Sequence, residues 1–212
     1  MDGVAEVSLD GGRSPEQKDN SYAARHQMVE MMAARVSVPP RQLVLPGPSA
    51  EQRDLLLRAA LASPSHGGLQ NFRFIEIGED RRDALADVFL DAKREEDPHA
   101  DDDDLRRARD KAYHAPCLIL LVARIYADHP DIPAIEQFAS VGAALGAILH
   151  AAHVLGFGAM AVSGGKLATT SFRHAFGLAA YEQALTFIAI GSPSKPSRDK
   201  MRLDPCVACS TW

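Results

Sequence analysis

A chain of 212 residues, 46% hydrophobic and 24% charged, is long enough to bury one ordinary core without metal or disulfide staples. A net charge of −5 with no basic stripe excludes the electrostatic footprint of a nucleic-acid binder, and no polybasic segment points to a membrane surface. Cys117, Cys206 and Cys209 are too few, and odd in number, for a disulfide framework; their sparsity fits a reducing cytoplasm.

Residues 1–22 are small, polar and acidic with no apolar signal-peptide run, and read as a flexible tail. A first helix is expected over 22–34. Pro39, Pro40, Pro46 and Pro48 then impose a loop. Ser49, with Gln52 three residues on, has capping-box spacing and opens a helix whose apolar face is Leu55, Leu56, Ala59 and Ala60. Pro64, Gly67 and Gly68 end it in a loop, and 72–77 alternates as a strand. Residues 82–93 form an amphipathic helix. The four acids at 101–104 lack the interleaved ligands and turn glycine of a calcium loop, and read as a helix start. Residues 117–123 are a continuous apolar run, as in a strand buried on both faces. A helix over 135–155 is apolar nearly all round, and its most apolar stretch, 138–154, is short and weakly hydrophobic for a membrane span and reads as a buried helix. A strand over 158–163, a helix over 171–176 and a strand over 185–190 complete the body. Strands separated by helices imply a mixed arrangement around one sheet.

The loop Ser63-Pro-Ser-His-Gly-Gly-Leu-Gln-Asn71 gathers two glycines, two hydroxyls, an imidazole and two amides. Such a loop lets backbone approach a flat ligand and offers donors to its carbonyls and ring nitrogens, although composition alone reads as a polar turn. Taken alone, Arg35 is a helix-end charge. His150 and His153 share a helix face without an acidic or cysteine partner nearby in sequence, so packed or interface histidines are expected there and no metal. Cys206-Val-Ala-Cys209 has redox spacing, but in a proline-rich tail rather than a βαβ unit. A plain tail is the expected reading there, with a disulfide or metal clip as the alternative.

The run from Leu56 to Phe74, with Pro64, His66 and Gln70 at its centre, resembles the signature of the FMN-dependent nitroreductase family, and its histidine resembles the YdjA-like minimal subgroup. Arg35-Val36-Ser37 resembles the family's phosphate-binding Arg-x-Ser element. Ala151-Ala-His-Val-Leu-Gly-Phe-Gly-Ala-Met160, followed by Ala161, Val162, Ser163 and Gly164, resembles the helix end and strand that flank the flavin ring. Phe187-Ile-Ala-Ile-Gly-Ser-Pro193 resembles the closing strand. Three positions depart from the family: Val36 replaces a second basic residue, Asn71 replaces the proline before the strand aromatic, and Ala161 replaces a ring-flanking tryptophan, which opens space over the flavin.

The resemblance implies an α+β fold, with a mostly antiparallel central sheet flanked by helices. Its domains would be a tail at 1–22, an FMN-binding domain at 23–193, and a C-terminal tail at 194–212 packing on a partner subunit. It implies an intertwined homodimer, and a helix apolar on all faces in so short a chain independently calls for a second copy. It further implies FMN at the interface, NADH or NADPH as co-substrate, and a nitroaromatic, quinone or enone as small-molecule acceptor. Arg supplies a bidentate clamp for phosphate and Ser a hydroxyl donor. The flavin carries the chemistry, so no catalytic nucleophile is expected. The alternatives are a flavin-fragmenting or dehalogenating enzyme on the same scaffold, or a flavin carrier or sensor without turnover.

Overall fold

A computed structural model describes residues 15–196 and 201–212, in two units, Met1–Arg35 and Val36–Trp212. In the first unit, helix α1 runs Pro15–Ala33. It starts well before the expected residue 22, with Pro15 in a first-turn position where its missing N–H has no intrahelical partner to lose. The expected tail thus shortens, and residues 1–14 lie outside the described residues.

The second unit holds strands β1 (Leu43–Val44), β2 (Phe72–Glu76), β3 (Cys117–Arg124), β4 (Gly158–Val162) and β5 (Glu182–Pro193). Its helices are α2 (Ala50–Leu61), α3 (Arg82–Glu96), α4 (Asp102–Asp110), α5 (Ala134–Val154), α6 (Thr170–Ala175) and the short α7 (Pro205–Ala208). The proline-rich loop is a correction to the sequence reading. It contains a 3-10 turn, and Leu43 and Val44 pair with Pro193 and Ser192. Two residues are too short a run to show an alternating pattern, so sequence could not mark that strand.

All strand pairs are antiparallel. β5 is the hub: it pairs with β3 on one side through Cys117↔Ile190 and its neighbours, and with β4 on the other through Gly158↔Gly191 to Val162↔Phe187. β2 adds to the far side of β3. The period of two along β3 sends Leu118, Leu120 and Val122 into one core with Phe89, Phe172 and Phe187. Cys117, Ile119, Leu121 and Ala123 go into a second core with Leu56, Val141 and Ile148. The continuous apolar run therefore is a strand covered on both faces, by α3 and α6 on one side and α2 and α5 on the other.

α2 is capped as its sequence requires: Gln52 N donates to Ser49 Oγ and Ser49 N donates to Gln52 Oε1. Its buried face is narrower than expected, with Leu56 and Ala60 buried but Leu55 exposed. Along α5 the buried stripe Gln137, Val141, Ala144, Ile148 and Ala152 follows helical spacing. Ile135 and Phe138 remain exposed. Among the described residues α5 is the one helix long and apolar enough to cross a membrane, and here its stripe packs on the sheet and α2.

One end of the β3–β5 pair is closed by charge. Glu182 is buried and takes a two-pronged bond from Arg73, Nε at 2.7 Å and Nη2 at 2.9 Å, with Arg124 Nε at 3.1 Å. The Arg73 and Arg124 hydrogen bonds hold the Glu182 carboxyl down at about 2 against the burial that opposes them. A depressed carboxylate contributes stability that is complete above its unfolded value near 4.5 and is lost as pH falls toward 2. Breaking a buried pair costs about 3–5 kcal/mol; the arginine side chains stay 28% and 25% exposed, so water screens part of this and we expect about 2 kcal/mol for Glu182→Gln at neutral pH. Urea unfolding from neutral pH down to about pH 3 should show the wild type losing more stability than the variant; equal losses would exclude this role.

Candidate functional site

The motif residues fall into two groups. The first is the loop between α2 and β2. Gly67 and Gly68 take φ of +63° and +66°, successive left-handed conformations that side-chain-bearing residues resist. A Cβ on Gly67 would press on Ile132 Cδ1 at 3.1 Å, whereas one on Gly68 would meet nothing within 4 Å. Ser65 Oγ donates to Leu69 O at 2.5 Å and closes the turn. Pro64, His66 and Gln70 are exposed on it. His66 Nδ1 donates to Glu136 Oε2 at 2.7 Å in the first turn of α5, which orients the imidazole and leaves Nε2 for a ligand.

Asn71 anchors the loop from beneath. It is buried, its Nδ2 donates to Gln137 Oε1 at 3.3 Å, and its carbonyl accepts from Arg124 N at 2.6 Å. Gln137, fully buried, also takes Tyr126 N at 2.8 Å and donates to Tyr126 O at 2.9 Å and Ile132 O at 2.8 Å. The residue that departs from the family's proline thus ties the loop to α5 and the 126–132 turn. Sequence reasoning passed over Gln137 and Glu136; a lone amide within an otherwise apolar helix was the available signal.

The second group surrounds β4. Ser37 pairs with Ala159 in a parallel bridge, and Val38 N donates to Ala159 O at 3.1 Å, so the 36–40 segment runs alongside β4. Gly158 permits this approach: a Cβ there would stand 2.8 Å from Leu43 Cδ2 and 2.9 Å from Val38 Cγ2. Val36, Ala161 and Val162 are half-buried, while Ser37, Ser163 and Gly164 are exposed. A Cβ on Gly164 would meet nothing within 4 Å, so its backbone is open to a ligand. Arg35, half-buried, closes the first unit.

Within the second unit these groups do not meet. The strand order β2-β3-β5-β4 places the loop before β2 and the end of β4 on opposite sides of the sheet. Three strand spacings separate them, about 14 Å. Other sequence candidates stand apart. Arg58 is an exposed helix residue paired with Asp54. His150 Nδ1 hydrogen-bonds Gly146 O at 2.7 Å within α5. Cys206 and Cys209 are exposed free thiols in and just beyond α7. Burial pushes the Cys117 thiol up to about 11, which keeps it unreactive.

Residues 32–192 match the nitroreductase family, three-quarters of the chain. The chain belongs to the nitroreductase family. It is 30% identical over 152 residues to "Putative NAD(P)H nitroreductase YdjA" of Escherichia coli (strain K12), covering 72% of this chain and 81% of that one, consistent with the YdjA-like subgroup. Its fold is that of a nitroreductase-like family protein from Bacillus cereus, with a TM-score of 0.72 at 21% identity over 87% of this chain and 95% of the other. An iodotyrosine deiodinase bound to FMN and 3-iodo-L-tyrosine shares the fold with a TM-score of 0.61 at 17% identity, over 84% and 95% of the two chains. The protein is an oxidoreductase on an α+β nitroreductase scaffold.

Gln137→Leu is expected to destabilise the protein by about 2 kcal/mol, because it removes the Gln137 partner of Tyr126 N and of Ile132 O and leaves Tyr126 O with only the bond from His129 N. Faster amide exchange at Tyr126 should accompany the loss. A variant as stable as wild type would show that the network contributes nothing.

Proposed function

We propose that the protein binds FMN in a site shared by two copies of the chain and uses it to pass reducing equivalents from NADH or NADPH to a small acceptor such as a nitroaromatic, quinone or enone. The observation that carries this reading is the separation of the two motif groups. Each offers open backbone and polar donors at the surface, and neither alone surrounds a ligand.

The donor chemistry fits the cofactor. Arg35 and the exposed Ser37 hydroxyl suit its phosphate. Open backbone at Gly164 with the Ser163 hydroxyl, and at Gly68 with the Gln70 amide and His66 imidazole, suits a flat heterocycle bearing carbonyls and ring nitrogens. When bound, FMN accepts and returns the hydride. The chain binds and orients it: Glu136 holds His66 at a fixed angle through Nδ1, and Asn71 and Gln137 keep the loop in place. Small Ala161 leaves room over the ring for a second ligand.

Uncovered apolar surface supports a dimer. Ile135 and Phe138 on α5 are exposed, as are Met201, Leu203 and Val207 in the tail, a composition that calls for a partner surface.

Purified protein is expected to be yellow and to gain thermal stability with FMN. Anaerobic NADH or NADPH should bleach it, and an acceptor should restore the colour; bleaching without recovery would favour a carrier. A colourless protein whose melting temperature ignores FMN would refute the flavin reading. Sharing has its own test. Mixing an Arg35→Ala/Ser37→Ala chain with a His66→Ala/Gln70→Ala chain should generate heterodimers with one intact site, so inactive partners should regain activity on mixing. Failure to regain activity in demonstrated heterodimers would place each site within one chain.

A further inference from the structure

A small cavity lies where α3, the 3-10 turn after α4 and the turn after β4 meet the sheet. Its walls are mainly apolar, Phe89, Val162 and Phe187 among them, and its ionisable lining is Lys111, His114 and Lys166, with no carboxylate. Its volume is about 40 Å³. Roughly 10–15 Å³ admits one water, so the space takes a small polyatomic ion and excludes a flavin or nicotinamide ring.

The cations there are poorly compensated. Lys166 Nζ lies 3.7 Å from the Phe89 ring centroid, a cation–π contact. Among the described residues no salt bridge or hydrogen bond reaches its ammonium, nor the side chains of Lys111 and His114. Burial, then the Lys111 charge, push Lys166 down to about 8, against Glu96, which lies behind Gly165. Burial and the Arg41 charge lower His114, against Asp110. Like charges gathered on an apolar wall cost free energy unless an anion joins them.

We propose that this cavity binds a tetrahedral oxyanion of phosphate type, with Lys166 and Lys111 supplying charge and His114 a hydrogen bond. The phosphate comes either free from solution or as the extra phosphoryl group of NADPH, since the FMN phosphate is assigned to Arg35 and Ser37. The site shares Val162 with the candidate flavin site but stands independently of the flavin reading.

Calorimetric titration of the full chain with inorganic phosphate and with sulfate tests it. Loss of a charge-assisted contact corresponds to about tenfold, so Lys166→Met should weaken both anions by that factor or more, and Lys111→Met should weaken them less. Lys166→Arg, which keeps the charge, should retain binding. Sulfate keeps its charge between about pH 6 and 9, so its affinity should fall as pH rises through 8, where Lys166 loses its proton. NADPH against NADH locates the source. A Lys166→Met loss confined to NADPH marks the nicotinamide nucleotide, and equal behaviour of the two marks free phosphate. No binding of either anion at millimolar concentration, or undiminished binding by a folded Lys166→Met protein, overturns the proposal. Phosphate binding by a protein that ignores FMN would sink the flavin reading and leave this one standing.

Discussion

Burial of β3 and β5 on both faces is the constraint from which the architecture follows. Strands so apolar must be covered above and below, which requires helices on two faces: α3 and α6 on one, α2 and α5 on the other. Because β5 accepts β3 along one side and β4 along the other, the chain segments carrying the polar motifs are pushed to opposite sides of the sheet. The central pair thus sets the spacing of the candidate site although it contributes few polar groups to it.

Buried polar groups then fix what the sheet leaves loose. Gln137 satisfies both backbone groups of Tyr126 and the carbonyl of Ile132, and Asn71 extends that network to the loop before β2. His66 is tied to the same helix through Glu136. A loop with two consecutive left-handed glycines has wide conformational freedom when unfolded; these ties select one shape.

Charge is handled in two contrasting ways. Glu182 meets two arginines, and Arg82 is buried against the carbonyls of Ala112, Ala115 and Pro116, where its bond to Ala115 secures a residue at φ +67°. Both arrangements are saturated. Lys111, His114 and Lys166 instead line a cavity with no carboxylate in its own walls, Glu96 and Asp110 acting on them only from outside it, which is the imbalance behind the proposed anion site.

Local signals in the sequence determined much of this protein. The Ser49–Gln52 cap, the two-faced strand at 117–123, the acidic start of α4 and the family motifs were legible because each depends on neighbours within a few residues. The length of α1, the two-residue β1, the exposure of Leu55 and the burial of Gln137 and Arg82 were not, because each is decided by what packs against it from elsewhere in the chain. Sequence also named the motif residues without revealing that Ser37 lies beside β4 while His66 lies across the sheet from it. Motif order is a property of the chain, but which motifs share a surface is decided by backbone pairing between residues more than a hundred positions apart in sequence, such as Ser37 with Ala159 and Leu43 with Pro193. Only the folded sheet supplies that geometry.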